Sequence, residues 1–160
     1  MISVKLQGAI NAQIVEEIFS SNLYLSMAFY FDKEGFNGFA KWMKKQSFEE
    51  LTHAYAMADF VIKRGGTAVV GQINAVPQKW ESPLAAFKAA YAHECHISKL
   101  IDGLVDLAIE EKDKATQDFF WTFVREQVEE EATASGIVDR LEKMGSSAIF
   151  NLDQQYGARQ

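Results

Sequence analysis

Residues 48–53 read FEELTH, and residues 125–130 read REQVEE. An offset of 77 positions relates the two stretches, and it also relates two glutamates that precede them. The pairs that share this offset are Glu17 and Glu94, Glu49 and Glu126, Glu50 and Gln127, and His53 and Glu130. Each half of the chain therefore supplies one glutamate and, further along, two polar residues spaced by three. The repeat indicates two related halves whose polar residues meet at one level.

The sequence around these positions is typical of long helices. Apolar residues recur at alternating steps of three and four, which is the spacing of one helix face. Both prolines, Pro77 and Pro83, fall in one short region, and Gly35 and Gly65 mark further breaks. We predict helices at about 5–33, 38–64, 83–111 and 115–144, with a short fifth helix after Ser146 that carries Ile149, Phe150 and Leu152.

Each predicted long helix has an ionisable residue in the middle of its apolar stripe. The third stripe, for example, consists of Leu84, Phe87, Tyr91, Glu94, Ser98, Ile101, Val105 and Ala108. We expect these stripes to face one another and to form the core, because each helix must bury its apolar face. The ionisable residues would then lie inside the protein.

The lengths of the connections predict the topology. The first and third connections are a few residues long, so the helices that they join must lie antiparallel. The middle connection, residues 65–82, has 18 residues and can span ~60 Å, whereas a helix of about 28 residues is ~42 Å long. It can therefore return along the whole bundle. We expect an all-α fold in which residues 1–160 form a single domain, a four-helix bundle with one long crossover.

The composition excludes several classes of protein. The chain has 16 basic and 22 acidic side chains, a net charge of -6 and no basic run, so we expect no nucleic-acid partner. The longest uncharged stretch, residues 18–31, contains polar residues and is too short to span a membrane. The N-terminal residues lack the apolar centre of a signal peptide. Because the single cysteine, Cys95, cannot form an internal disulfide, the cytoplasm is the expected compartment.

The inward glutamates require positive charge nearby, because a buried carboxylate without a partner costs several kcal/mol. Four negative charges come from Glu17, Glu50, Glu94 and Glu130. His53 is neutral, so two divalent cations balance the set. Carboxylate oxygens with one imidazole suit iron or manganese. Gln127 adds no charge, and we expect it either to ligate weakly or to orient a bound water.

Simpler roles for these residues stay open. The glutamates could form a polar core layer that fixes the register of the helices. Tyr24 is either a core tyrosine with a satisfied hydroxyl, or a hydrogen-bond donor to a ligand glutamate and a one-electron donor. His93, Cys95 and His96 could form a second metal site. Only the neighbouring Glu94 falls on the inward stripe, however, and this favours a structural role for the other three.

Further acidic residues flank the inward set. Glu49, Glu126 and Glu129 are sequence neighbours of inward residues, and a rotation of 100° per residue turns them toward one side of the bundle. Together with Glu130 they could bind a third metal and pass product toward a cavity. The alternative interpretation is a solvated acidic face.

The polar positions resemble those of a prokaryotic non-haem ferritin. The matching residues are Glu17, Tyr24, Glu49-Glu50-x-x-His53, His93-Glu94 and Glu126-Gln127-x-Glu129-Glu130-Glu131. The resemblance implies a ferritin-like fold and two irons. The first would be bound by Glu17, Glu50 and His53, with Glu50 bridging, and the second by Glu94 and Glu130, with Gln127 nearby. It also implies a third, looser site at Glu49, Glu126, Glu129 and Glu130.

The same resemblance implies an activity. Such proteins oxidise Fe(II) with O2 or H2O2 and store ferric mineral inside a shell of 24 identical subunits. We expect no haem, since the haem methionine of bacterioferritins falls at Thr52. The tryptophan that often precedes the glutamine falls at Thr122, beside Trp121. The alternative functions are a bacterioferritin-like protein and a di-iron oxygenase, which would need an apolar pocket beside the metals.

Overall fold

Five α-helices, and no strands, make up the regular structure of residues 1–159, which are the residues that the computed structural model describes. The helices are α1 (Val4–Lys33), α2 (Asn37–Lys63), α3 (Pro83–Glu110), α4 (Lys114–Lys143) and α5 (Ile149–Gly157). The four predicted long helices and the short fifth are confirmed, with bounds that differ by about one residue. Among the described residues, no helix is both long and apolar enough to cross a membrane.

Local capping explains where the helices begin. The hydroxyl oxygen of Ser3 accepts from the amide of Leu6 at 3.1 Å, and that of Ser82 accepts from Ala85 at 3.0 Å. Asp113 accepts from the amide of Thr116 at 3.0 Å. These side chains satisfy amides that have no partner in the first turn of a helix. The starts of α1, α3 and α4 are therefore encoded locally.

The apolar core is divided into two clusters by a polar layer. One cluster contains Tyr24, Phe31, Phe39, Phe87 and Ile137, toward the end of the bundle where α1 meets α2. The other contains Ile10, Met57, Ile101, Val105 and Phe120, toward the opposite end. On every long helix the inward polar residue lies between the segments that enter the two clusters. The layer is thus held in place from both sides by close packing.

One predicted core position is wrong. Tyr91 is 37% exposed, although the third stripe placed it inward. Its neighbour Ala90 is buried instead, and Ile97, the neighbour of the stripe residue Ser98, is buried as well. Consecutive residues differ by 100° around a helix, so a stripe that is about 100° wide does not distinguish Ala90 from Tyr91.

The crossover runs along α1, as the topology prediction requires. Near the start of α1, Asn11 donates to the carbonyl of Thr67 at 2.9 Å and accepts from the amide of Val69 at 3.0 Å. Toward the end of α1, Ser26 donates to the carbonyl of Pro77 at 2.5 Å. The connection therefore travels the length of the bundle and returns the chain to the start of α3.

Helix α5 packs on α2 of the same chain. The Asp153 carboxylate accepts a hydrogen bond from the amide of Phe39 at 2.7 Å, and so caps α2, whose own N-cap residue makes no such bond. A Cβ on Gly38 would lie 1.8 Å from the Asp153 carbonyl oxygen. Leu152 is buried in this contact, whereas Phe150 remains 58% exposed. A glycine at position 38 is therefore required for the close approach of α5.

Candidate metal centre

The polar layer contains one residue from each of the four long helices. These four residues are all buried: Glu17 of α1, Glu50 of α2, Glu94 of α3 and Gln127 of α4. Glu17 and Glu94 are the most enclosed, each only 1% exposed. His53 and Glu130, one turn further along α2 and α4, are partly buried at the edge of the layer. The structure therefore brings the two sequence halves to one level, as the offset of 77 predicted.

Glu17, Glu50 and His53 converge on one point. The Nδ1 atom of His53 lies 3.2 Å from Glu50 Oε2 and 3.6 Å from Glu17 Oε2. One ligand atom from each residue lies within 4.8 Å of the others, and no other group of three histidine, cysteine or acidic residues in residues 1–159 is so arranged. A cation at the centre could contact all three.

An unsatisfied oxygen supports this group as a candidate cation site. Gln13 donates to Glu17 Oε1 at 2.7 Å, but Glu17 Oε2 is buried and has no hydrogen-bond partner among the described residues. Such an orphan acceptor is rare in proteins, because its desolvation is not compensated. A metal ion bound between Glu17, Glu50 and His53 would compensate it, so the residues fit the ligand set.

The proton on His53 is the positive charge that faces the carboxylates. Burial lowers its pKa, but the neighbouring carboxylates of Glu126, Glu17 and Glu50 outweigh this effect and raise the pKa of His53 to about 12. Burial also raises the pKa of Glu50 well above its ordinary value. Because a metal ligand must be a neutral imidazole, a cation that binds here must displace the His53 proton.

The corresponding residues of the second half are held by hydrogen bonds. Tyr24 donates to Glu94 Oε1, and Gln127 Nε2 lies 3.1 Å from Glu94 Oε2 and 3.2 Å from the Ser98 hydroxyl. Burial, partly opposed by these bonds, raises the pKa of Glu94 to about 7. Gln46 donates to Glu130 Oε2 at 3.0 Å. Glu94 and Glu130 therefore both accept hydrogen bonds from side chains of the protein.

The acidic flank is less gathered than the inward residues. Glu126 Oε1 lies 3.5 Å from His53 Nε2, on the side of the ring opposite Glu50. Both oxygens of Glu49 accept from Arg159, at 3.0 and 3.1 Å, and Glu129 is exposed. In the described part of the chain these three carboxylates do not form a triad like that of Glu17, Glu50 and His53. A third site at Glu49, Glu126 and Glu129 stays a prediction.

The run of residues around Glu94 does not form a second metal group. His93 is partly buried, makes a 2.6 Å hydrogen bond with Ser20, and packs edge-on against Tyr24. Burial lowers the pKa of His93 to about 4. His96 points away, with its Nε2 atom 3.8 Å from Glu16. His93 therefore packs behind Tyr24.

Trp121, beside Thr122 on α4, is 45% exposed and lies on the surface.

Sequence reasoning missed three residues that support the site. Gln13 and Gln46 each lie four positions before a candidate ligand, on the same helix face, and this spacing could have identified them. Arg159 lies beyond α5, where no helical periodicity predicts its neighbours. Its contacts depend on the way in which α5 docks.

Comparisons with known proteins agree with this geometry. The family model for the ferritin-like domain matches residues 7–144. A bacterial non-heme ferritin from Bacteroides fragilis is 64% identical over 159 residues, which cover 99% of this chain and 100% of that protein. A bacterial non-heme ferritin from Staphylococcus epidermidis is 34% identical over 161 residues, 99% of this chain and 97% of that protein. The crystal structure of an open pore ferritin from the archaeon Archaeoglobus fulgidus superimposes with a TM-score of 0.98, at 48% identity, and covers 100% of this chain and 99% of that one.

Proposed function

This chain belongs to the ferritin-like domain family, and we propose on that premise that it is a ferroxidase subunit that stores iron. Fe(II) is its substrate, O2 or H2O2 is the oxidant, and Fe(III) is kept as mineral inside a shell of 24 copies. The observation that supports this function most directly is the convergence of Glu17, Glu50 and His53 around an unsatisfied carboxylate oxygen. The single domain of residues 1–160 and the cytoplasmic location remain predictions.

In the proposed reaction, two Fe(II) ions bind within one chain. Glu17 and His53 hold the first, Glu94 and Glu130 hold the second, and Glu50 lies between them. The His53 proton leaves when the first ion binds, since its imidazole must be neutral to ligate. Four carboxylates then balance the charge of two divalent ions. Hard carboxylate oxygens favour the ferric product over the ferrous substrate.

The electron balance explains why two ions are needed. Each Fe(II) gives one electron, so a pair supplies the two electrons that, with two protons, reduce O2 to H2O2. The same pair, again with two protons, reduces H2O2 to two molecules of water. Holding two metal ions side by side lets both electrons pass to one oxidant molecule, which is the role of a two-metal template.

Tyr24 and Gln127 prepare the second position. Burial raises the pKa of Tyr24, so its hydroxyl keeps its proton and donates to Glu94. Gln127 donates to the other oxygen of Glu94, so a metal ion that binds this oxygen competes with the Gln127 amide. We propose that Tyr24 orients Glu94 and acts as a one-electron donor. Gln127 makes the second position the weaker of the two, either as a weak ligand or by orienting a water.

The acidic flank is the proposed exit for Fe(III). Glu49, Glu126 and Glu129 border the inward residues, and together with Glu130 they would hold a third, looser cation. Replacing all three by alanine should leave the oxidation of the first two irons per chain nearly unchanged. It should alter the kinetics and the iron-to-oxygen stoichiometry of later additions, measured by stopped-flow oxidation. Identical behaviour of the triple variant and the parent over several rounds would remove the third site from the proposal.

An oxygenase acting on an organic substrate is less well supported. A cavity of about 990 Å³ lies between the outer face of α1 and the crossover, and its lining includes Asn22, Phe29, Ile73 and Trp80. None of the candidate ligands lines this cavity. It is therefore not the apolar pocket beside the metals that such chemistry would require.

Anaerobic loading followed by an oxygen pulse tests the proposed function. We expect two Fe(II) ions per chain to bind without oxygen and to oxidise within seconds when O2 is added, with O2 uptake measured by electrode. The matched control is Glu110→Ala, which removes an exposed carboxylate that contacts Lys5. Oxidation no faster than in protein-free buffer would contradict the ferroxidase proposal. Light scattering should show a closed assembly of the 18.0 kDa chain, and a stable monomer would contradict the shell.

A further inference from the structure

Arg159 connects α5 to the edge of the metal centre. Its Nη1 atom donates to the carbonyl oxygen of Trp42 at 3.3 Å, and the guanidinium carbon lies 4.8 Å from the centroid of the Trp42 ring. Its Nη2 atom donates to both carboxylate oxygens of Glu49 at 3.0 and 3.1 Å, and to Gln46 Oε1 at 2.6 Å. The side chain is 23% exposed and is therefore largely enclosed by these partners.

The contact with Gln46 reaches a candidate iron ligand. A side-chain amide has one oxygen, which accepts, and one nitrogen, which donates. Because the Gln46 oxygen faces the guanidinium, its nitrogen faces Glu130 Oε2, at 3.0 Å. Arg159 and the Glu130 carboxylate therefore favour the same orientation of the Gln46 amide, with its nitrogen toward Glu130.

The contact with Glu49 places a fixed positive charge on the acidic flank. Arginine is ionised at every relevant pH, and its planar fork matches a carboxylate. A metal cation that uses Glu49 must either displace the guanidinium or accept repulsion from it. The contact therefore lowers the affinity of this flank for a cation.

Docking of α5 does not depend on Arg159 alone. Leu152 is buried, Asp153 caps α2 through the amide of Phe39, and Arg140 donates to the hydroxyl of Tyr156. These contacts hold α5 on α2 and α4 independently of Arg159. The bonds from Arg159 to Glu49 and Gln46 are therefore available for a role other than anchoring the helix.

We propose that Arg159 is a positioning residue that competes with metal cations for Glu49, so that the acidic flank binds cations weakly and releases them. This inference rests on the proposed function, in which product leaves the dinuclear site past the flank. A weakly binding flank passes cations on, whereas a strongly binding one would retain them. Lysine would preserve the charge but lacks the planar guanidinium, whose Nη2 atom contacts Glu49 and Gln46 while its Nη1 atom contacts Trp42.

Zinc calorimetry on the assembled, metal-free protein tests this role with a cation that has no redox chemistry. We expect two tighter sites and one weaker site per chain. Arg159→Gln should tighten the weaker site by about three- to tenfold, which is the size of the effect of a partly enclosed ion pair, and should leave the two tighter sites unchanged. Arg159→Lys should give a smaller change.

The controls separate competition from helix docking. Arg140→Gln removes a contact of α5 that is remote from Glu49, and it should leave the weaker site unchanged. In a Glu49→Gln background, Arg159→Gln should have no further effect on zinc affinity, because the competition has already been removed. Thermal unfolding of each variant checks that α5 remains docked.

The outcomes distinguish this proposal from the ferroxidase proposal. Suppose that the two tighter sites bind zinc normally in both proteins. If the weaker site then has the same zinc affinity in the parent and in Arg159→Gln, or is absent from both, the proposed role of Arg159 is wrong. An equal effect of Arg140→Gln would also overturn it. If the two tighter sites are missing, the dinuclear centre is wrong. In that case, a change in the zinc affinity of the weaker site that requires both Arg159 and Glu49 would still support competition between Arg159 and the cation.

Discussion

The two halves of the chain place corresponding residues in opposite states. In the half formed by α1 and α2, Glu17, Glu50 and His53 face one another, and one carboxylate oxygen lacks a partner. In the half formed by α3 and α4, Glu94 receives hydrogen bonds from Tyr24 and Gln127. The first half leaves a buried carboxylate oxygen that a cation could contact, whereas the second half satisfies its buried glutamate with hydrogen bonds.

The internal repeat therefore does not give the two halves equal environments for a cation. The offset of 77 pairs Glu50 with Gln127 and His53 with Glu130, so one half has a neutral amide where the other has a carboxylate. In the first half, a metal ion would contact the buried Glu17 Oε2 atom, which has no hydrogen-bond partner, and would offset the cost of its desolvation. In the second half it competes with the hydrogen bond that Gln127 donates to Glu94. We therefore expect the two positions to fill in order.

Removing the shared carboxylate should have the largest effect. Glu50→Ala takes a ligand from both positions, so we expect fast oxidation of Fe(II) to fall by at least about 100-fold. Stopped-flow oxidation measures this loss. His53→Ala should also abolish the fast phase while leaving the fold intact. The metal-free Glu50→Ala variant should be at least as stable as the parent, since a buried carboxylate is removed. If it is much less stable, Glu50 is structural.

Burial of Glu94 in the second half should make the stability of the metal-free protein depend on pH. The pKa of Glu94 is about 7 in the folded protein and 4.5 in its ordinary state, so the folded protein binds an extra proton between these values. Stability of the metal-free protein should therefore fall as pH rises from 4.5 to 7, by about 3 kcal/mol relative to Glu94→Gln. Thermal midpoints at fixed protein concentration measure the difference. Parallel curves for parent and variant would contradict it.

Making the halves more alike should strengthen the weaker position. Gln127→Glu restores a carboxylate opposite Glu50, and we expect the second Fe(II) to bind about tenfold more tightly in anaerobic titration. The metal-free variant should be less stable, because a second negative charge then faces Glu94. Gln117→Glu, elsewhere on α4, is the matched control. If the second affinity does not change, Gln127 does not border the second cation.

Removing one donor should give the smallest change. Tyr24→Phe deletes the hydroxyl that donates to Glu94, and we expect the second Fe(II) to bind about fivefold more weakly while the first is unaffected. Tyr30→Phe, on the same helix but remote from the site, should change neither affinity. Equal losses at both positions in Tyr24→Phe would show that the hydroxyl does not act through Glu94.

Most of the fold could be predicted because its signals are local. Ser82 and Pro83 fix the start of α3, and Gly35 and Gly65 adopt positive φ values of 85° and 79° where α1 and α2 end. The inward glutamates were also predictable, since periodicity and the repeat select the same positions. Tyr91 was not, because one residue of rotation separates it from the buried face.

The hydrogen bonds of the site could not be predicted in the same way. Whether Gln127 faces Glu94 or turns away depends on rotamers that a helical pattern does not specify. The position of Arg159 depends on the crossing of α5 over Gly38, which brings distant parts of the chain together. Sequence periodicity identifies the ligands, but only three-dimensional packing shows which of them are already satisfied.

Stepwise anaerobic calorimetry of Fe(II) binding tests the ordered dinuclear site most directly. For the parent we expect two steps per chain, the first tighter and accompanied by release of the His53 proton, detected as a dependence of the heat on buffer ionisation. His53→Ala should remove the first step, and Glu94→Ala should remove only the second. A single class of sites, or loss of the first step in Glu94→Ala, would contradict the account.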